Sequence, residues 1–196
     1  ATVWWQIDSD GHARTGKIMA YDRETGKRIK EPRAMMTWVH TLLKDRYPAG
    51  FRMRQAYFGQ HLLARYPDAR VMMVESEKAA LVLALVYKAG GVYGCFVPVA
   101  CGGCSGLDTS PQARCEPGNR LRSLYSRRVS LLPDQGQYEK WLERSMEIAQ
   151  YVDSISVSDR LDCEPGESVR AGDGPDDILL RILDDPDTLW SQALAL

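Results

Sequence analysis

The spacing of apolar and polar positions changes character near residue 70. Before it, "VWWQIDSDGHARTGKIMAYDRETGKRI" alternates aromatic and β-branched residues with polar ones around Asp10-Gly11 and Thr25-Gly26. That alternation predicts a three-stranded antiparallel meander from Val3 to about Ile29. "AMMTWVHTLLKDRY" carries apolar residues at helical spacing and predicts a helix that breaks at Pro48 and Gly50. "AYFGQHLLARYP" predicts a second, shorter helix ending at Pro67. Beyond residue 70 the apolar runs become continuous. "ARVMMVE", "YGCFVPVA", "RVSLLPD" and "SISVSD" have strand length. Between them lie the Ala/Leu-rich "SEKAALVLALVYKAGG", closed by Gly90-Gly91, and "GQYEKWLERSMEIAQYV", with Tyr138, Trp141, Leu142 and Ile148 on its buried face. "CGGCSG" is a glycine loop, "SPQARCEPGNRLRSLYSR" a loop and a helix, and "CEPGESVRAGDGPDD" a loop before one or two terminal helices.

Strands alternating with helices predict an α/β fold: a Rossmann-like parallel sheet flanked by helices over residues 70–196. A small antiparallel β plus helix subdomain precedes it over residues 1–69. Ligands of such sheets gather at the carboxyl ends of the strands. Glu75 closes the first strand, Gly102 and Gly103 follow the second, and Asp134 closes the third. Two carboxylates held together repel each other unless a cation lies between them. Oxygen-only ligands suit Mg2+ or Mn2+. Spacing alone serves equally well for a plainer role, in which Glu75 and Asp134 cap the helices that follow them.

Composition narrows this further. With 196 residues and 44% apolar content the chain can build a packed core. A net charge of −1 excludes nucleic-acid binding by bulk charge, although Lys27, Arg28, Lys30 and Arg33 cluster, as do Arg120, Arg122, Arg127 and Arg128. Both clusters serve equally as solvated faces. No apolar run reaches the roughly 18–20 residues of a membrane span, and no leader opens the chain. The expectation is a soluble, cytoplasmic protein without a membrane partner, beginning inside a longer chain because "ATVWWQID" already reads as a strand. Cys101 and Cys104 have C-x-x-C spacing and Cys115 offers a third thiol, but the next cysteine is Cys163 and no histidine lies nearby. Structural zinc is not expected. His12, His40 and His61 lack metal spacing and receive no role. Trp4, Trp5 and Trp38 are read as core residues, with base stacking the alternative.

"VMMVESEKAALVLAL" resembles the first motif of the toprim domain, a strand ending in glutamate before a helix, and "SLLPDQGQYEKW" resembles its second, strand then Asp-x-Asp then helix. With "WWQIDSDGHARTGKIMAYDRETGKR" and "FGQHLLARYPDARVMMVESEKAA", the chain resembles primase-related toprim proteins of Bacteroidetes genomes and mobile elements, from about Val3 to Leu183. The resemblance implies a Mg2+- or Mn2+-dependent nucleotidyl or phosphoryl transfer in replication or mobilisation of DNA. Glu75 and Asp134 would be catalytic and would hold the metal. Single-stranded DNA, nucleotides and a helicase or other replication protein would be the partners. The second acid of Asp-x-Asp is Gly136 here. Glu77, Asp159, Asp173, Asp176 or Asp177 would have to replace it, with Asp176 and Asp177 preferred because "GDGPDDILL" resembles the acidic tail of primase-type sheets. Plain helix capping is the alternative for that tail. Lys78, Gly102, Gly103, Lys17 and Arg14 would contact phosphate or nucleic acid, although each also has an ordinary surface role. Two further readings stay open: a catalytically degenerate toprim module that only binds nucleic acid or a partner protein, and a toprim nuclease.

Overall fold

A computed structural model describes residues 1–29, 35–116, 118–163 and 169–184, with only the backbone at Cys104 and Cys163. The amino-terminal part is a three-stranded antiparallel sheet ordered β1 (Thr2–Ile7), β2 (Ala13–Met19), β3 (Met36–Trp38). Its third strand is not the segment before Ile29. Residues 20–29 form a wide turn closed by one bridge between Tyr21 and Arg28, where Asp22 accepts from the Thr25 amide and hydroxyl. The helix expected over "AMMTWVHTLLKDRY" likewise gives way. Met36–Trp38 pairs with Lys17–Met19, leaving the one-turn helix α1 (Val39–Leu42) and a 3-10 turn at Lys44–Arg46. Apolar spacing in so short a run serves a strand as well as a helix, and the open edge of β2 decides between them.

The short helix α2 (Gln60–Arg65) leads into β4 (Arg70–Val74), and α3 (Glu77–Ala89) follows. Next come β5 (Phe96–Ala100), α4 (Pro111–Cys115), β6 (Arg128–Leu132), α5 (Tyr138–Ile148), β7 (Ser154–Val157), α6 (Arg160–Cys163) and α7 (Pro175–Asp184). The four later strands form one parallel sheet in the order β5-β4-β6-β7. Each strand turns alternate residues to opposite faces. Val71, Met73, Val97, Val99, Val129 and Leu131 pack on Leu63, Trp141 and Ile148 from α2 and α5. Met72, Val74, Ala100 and Leu132 pack on Ala79, Leu83, Val86 and Leu179 from α3 and α7. Pro98, which cannot donate to a ladder, lies in the edge strand β5. Among the described residues no helix is long and apolar enough to cross a membrane. The terminal helices expected beyond Asp184 lie outside the described residues.

Three contacts join the two sheets. Trp4 sets its ring edge-on against Phe58, with centroids 5.5 Å apart. Phe58 in turn exchanges two backbone hydrogen bonds with Ala100 at the end of β5. Gln60 donates to Ser9 at 3.2 Å. Third, the ammonium of Lys17 on β2 donates to a Glu77 carboxylate oxygen at 3.1 Å, with the two residues only 8% and 2% exposed. Two buried ions are tolerated because each is the other's partner; removing one strands the other in a medium of low polarity. Lys17→Met should therefore lower unfolding free energy by about 3–5 kcal/mol. The double variant Lys17→Met/Glu77→Leu should recover most of that loss in urea titrations. A double-variant loss equal to the sum of the losses in Lys17→Met and Glu77→Leu would show that the pair is not coupled.

Candidate acidic site at the strand ends

The chain leaves β4 for β5 on one side and later returns to β6 on the other, so the order reverses between β4 and β6. The crevice outside such a reversal is where open α/β sheets hold ligands. Val74 and Leu132 are in register across these strands, which sets Glu75 and Asp134 just past two adjacent strand ends.

The capping role fits neither Glu75 nor Asp134. Ser76, not Glu75, caps α3: its hydroxyl accepts from the Ala79 amide at 3.0 Å. The carboxylate of Asp162, not that of Asp134, receives the Gly136 and Tyr138 amides at 2.5 and 3.1 Å and caps α5. Nothing in the sequence pattern announced Asp162. Asp134 Oδ1 is left buried with no hydrogen-bond partner among the described residues, which is costly unless something else supplies one.

The carboxyl-terminal acids come to the same place. Gln135 donates its amide to the Asp173 carbonyl at 2.8 Å, and Gly172 donates to the Gln135 side chain at 3.1 Å. These bonds tie the loop after β6 to the loop before α7. At Gly174 a β-carbon would come within 2.8 Å of an Asp176 carboxylate oxygen and 2.9 Å of Asp134 Oδ1, so the absent side chain lets the two acids share this corner. Burial, then the charges of Glu75, Asp176 and Asp177, push Asp134 up to about 8. Asp176 is also raised by burial, offset only in part by its ion pair with Lys78. Lys78 reaches Asp176 at 2.7 Å and Asp177 at 3.4 Å. Burial lowers its ammonium pKa, but these two acids raise it further than burial lowers it. Asp177 also keeps the capping role weighed for this tail, accepting from the Gly174 amide at 3.1 Å.

Other expected residues are committed elsewhere. Arg14 pairs with Asp8 at 2.5 Å, and Lys17 with Glu77. Gly102 and Gly103 both donate their amides to the Glu75 carbonyl at 2.9 Å, so these N–H groups anchor the loop and do not face a phosphate. Asp173 pairs with Arg181, and Asp159 lies exposed before α6. Trp4 is core, while Trp5 is exposed. Cys101 is buried, with its thiol donating to the Val74 and Gly103 carbonyls at 3.3 and 3.1 Å, and Cys115 is exposed. His12 does approach two acids, Asp8 and Asp10, but Asp8 already accepts two turn amides and Arg14.

A cleft of about 650 Å3 opens beside the rim, lined by Asp134, Asp176 and Asp177 and by the cations Lys27, Arg28, Lys78 and Arg181. Lys27 and Arg28, from the basic cluster that the sequence leaves open between a nucleic-acid contact and a solvated face, flank this opening. The chain belongs to the DUF6371 family, a domain of unknown function whose model matches residues 1–135. No curated protein and no solved structure matches it.

A folded-state pKa above the unfolded one means that the native protein holds its proton longer. Stability conferred by protonated Asp134 is complete below the ordinary 3.8 and is lost as pH rises through about 8. The metal-free protein should therefore unfold at lower urea at about pH 9 than at about pH 6, and Asp134→Asn should flatten that difference. An unchanged pH slope in the variant would show that Asp134 is not the titrating group.

Proposed function

We propose that this member of the DUF6371 family is a primase-like toprim protein. It would carry out Mg2+- or Mn2+-dependent nucleotidyl or phosphoryl transfer on DNA, in the cytoplasm, during replication or mobilisation. The observation that carries this reading is the gathering of Glu75 and Asp134, at adjacent strand ends, with Asp176 from α7, and with Asp134 Oδ1 buried and lacking a hydrogen bond among the described residues. A carboxyl raised to about 8, first by burial and then by its acidic neighbours, is one that a bound cation would relieve. The donors are all oxygen, which suits Mg2+ or Mn2+. Asp176, arriving from α7, supplies the carboxylate that Gly136 lacks. Glu75, Asp134 and Asp176 would hold the ion, which would neutralise phosphate charge and lower the pKa of an attacking hydroxyl.

The chain's own residues do the rest. Lys27, Arg28 and Arg181 line the cleft facing these acids and would orient the phosphates of a nucleotide or template strand. Met19 and Tyr21 give the same cleft an apolar wall. The bonds from the Gly102 and Gly103 amides hold the main chain of Glu75 in place. Single-stranded DNA and nucleotides are the natural ligands on this reading, with a helicase or another replication protein as partner. A catalytically degenerate binding module is the second reading. It is favoured by Gly136 and by the Lys78 ammonium already lying between Asp176 and Asp177. A nuclease would use the same acids to direct water.

Calorimetric titration with Mn2+ should show binding by the wild type and at least tenfold weaker binding by Glu75→Gln and Asp134→Asn, as expected for loss of a charged ligand. Single-stranded DNA should bind weakly, with affinity falling as salt rises. Primer synthesis or strand cleavage with Mn2+, abolished in Glu75→Gln, separates polymerase from nuclease. Binding without either activity selects the module. Negligible heats in the wild type and both variants would remove the metal reading altogether.

A further inference from the structure

Lys78 stands in the first turn of α3, where the helix's own partial charge disfavours a cation. It is held there from outside. Asp176 and Asp177, both in the first turn of α7, take its ammonium at 2.7 and 3.4 Å. Helices α3 and α7 pack together through Ala79, Leu83 and Leu179, so the lysine stem and the two acids meet across a fixed seam. The side chain retains 23% exposure, and Lys78 lines the cleft that Lys27, Arg28 and Arg181 also border. Asp134 Oδ1, with no hydrogen bond among the described residues, lies at the same corner as Asp176.

We propose that Lys78 is a resident counter-cation that a divalent metal displaces from Asp176 and Asp177. Once released, its ammonium turns into the cleft and binds the phosphate of the incoming ligand. This rests on the metal reading above. The argument is one of charge and reach. An ammonium and a divalent ion on the same carboxylate repel strongly at such short range. The lysine stem is flexible and its head a mobile point charge. The cleft offers that head a solvated route away from the acids. Lys78 thus keeps the rim neutralised while empty, and the exchange makes phosphate binding depend on prior metal binding. It is a positioning residue and lies outside the set of metal ligands.

The exchange predicts effects of opposite sign from one substitution. Lys78→Met should bind Mn2+ alone about tenfold more tightly than the wild type, because a competing positive charge is gone. The same variant should bind pyrophosphate, at saturating Mn2+, about tenfold more weakly. Lys78→Arg, which keeps the charge, should stay near the wild type for Mn2+. A second measurement needs no variant. Acylation of wild-type lysines by an amine-reactive reagent, read by mass spectrometry, should modify Lys78 several-fold faster once Mn2+ is added. Adding pyrophosphate should then protect it again. Lys78→Met that binds Mn2+ no more tightly, with Lys78 labelling unmoved by Mn2+, overturns the exchange while leaving the metal site standing. Absence of Mn2+ binding in both proteins overturns both. If Lys78→Met does not fold, as judged by circular dichroism, the labelling result decides alone.

Discussion

Like charges crowded into a partly dry corner set the terms for this molecule. Glu75, Asp134, Asp176 and Asp177 converge where β4 and β6 end, and Asp134 carries the cost as a strongly raised pKa. Two devices limit the repulsion. Lys78 neutralises the α7 acids from the neighbouring helix. The α5 cap is assigned to Asp162, which lies outside the crowd. Asp134 Oδ1, buried without a hydrogen bond among the described residues, is a cost to stability that this corner bears. The strain on this corner, more than the presence of acids there, is what sets it apart from a solvated acidic surface.

The small sheet also bears on this corner. The Lys17–Glu77 pair fixes β2 against the first turn of α3, one residue from Lys78. Tyr21 and Arg28 close a turn that brings Lys27 and Arg28 to the cleft mouth. The cleft is therefore built by both sheets, acids from one and two of its cations from the other.

Much of the parallel sheet was legible in the sequence. The continuous apolar runs at β4, β6 and β7 have strand length, and Ser76 ahead of an Ala/Leu-rich stretch marks the start of α3. The place of Glu75 and Asp134 at strand ends was readable, whereas the adjacency of β4 and β6 comes from the strand order of the sheet. What was hidden is long-range. The third strand of the small sheet falls at Met36–Trp38 because β2 offers an open edge there, a fact no local period contains. The Lys17–Glu77 bond spans 60 positions and the Asp162 cap 26, and neither has a local signature. Lys17 and Arg14 looked like groove cations only because their acidic partners were out of sight.

Two main-chain amides, from Gly102 and Gly103, converge on the carbonyl of Glu75. The tie runs through the backbone and ignores the carboxylate. Chemistry and scaffold at position 75 are consequently separable. Exchange of that side chain leaves the loop moored and the strand tip in register, so the rim's shape outlives any change in its reactivity. A frame of this kind can drift between an active and a silent version of itself by single replacements, with no architectural rebuilding.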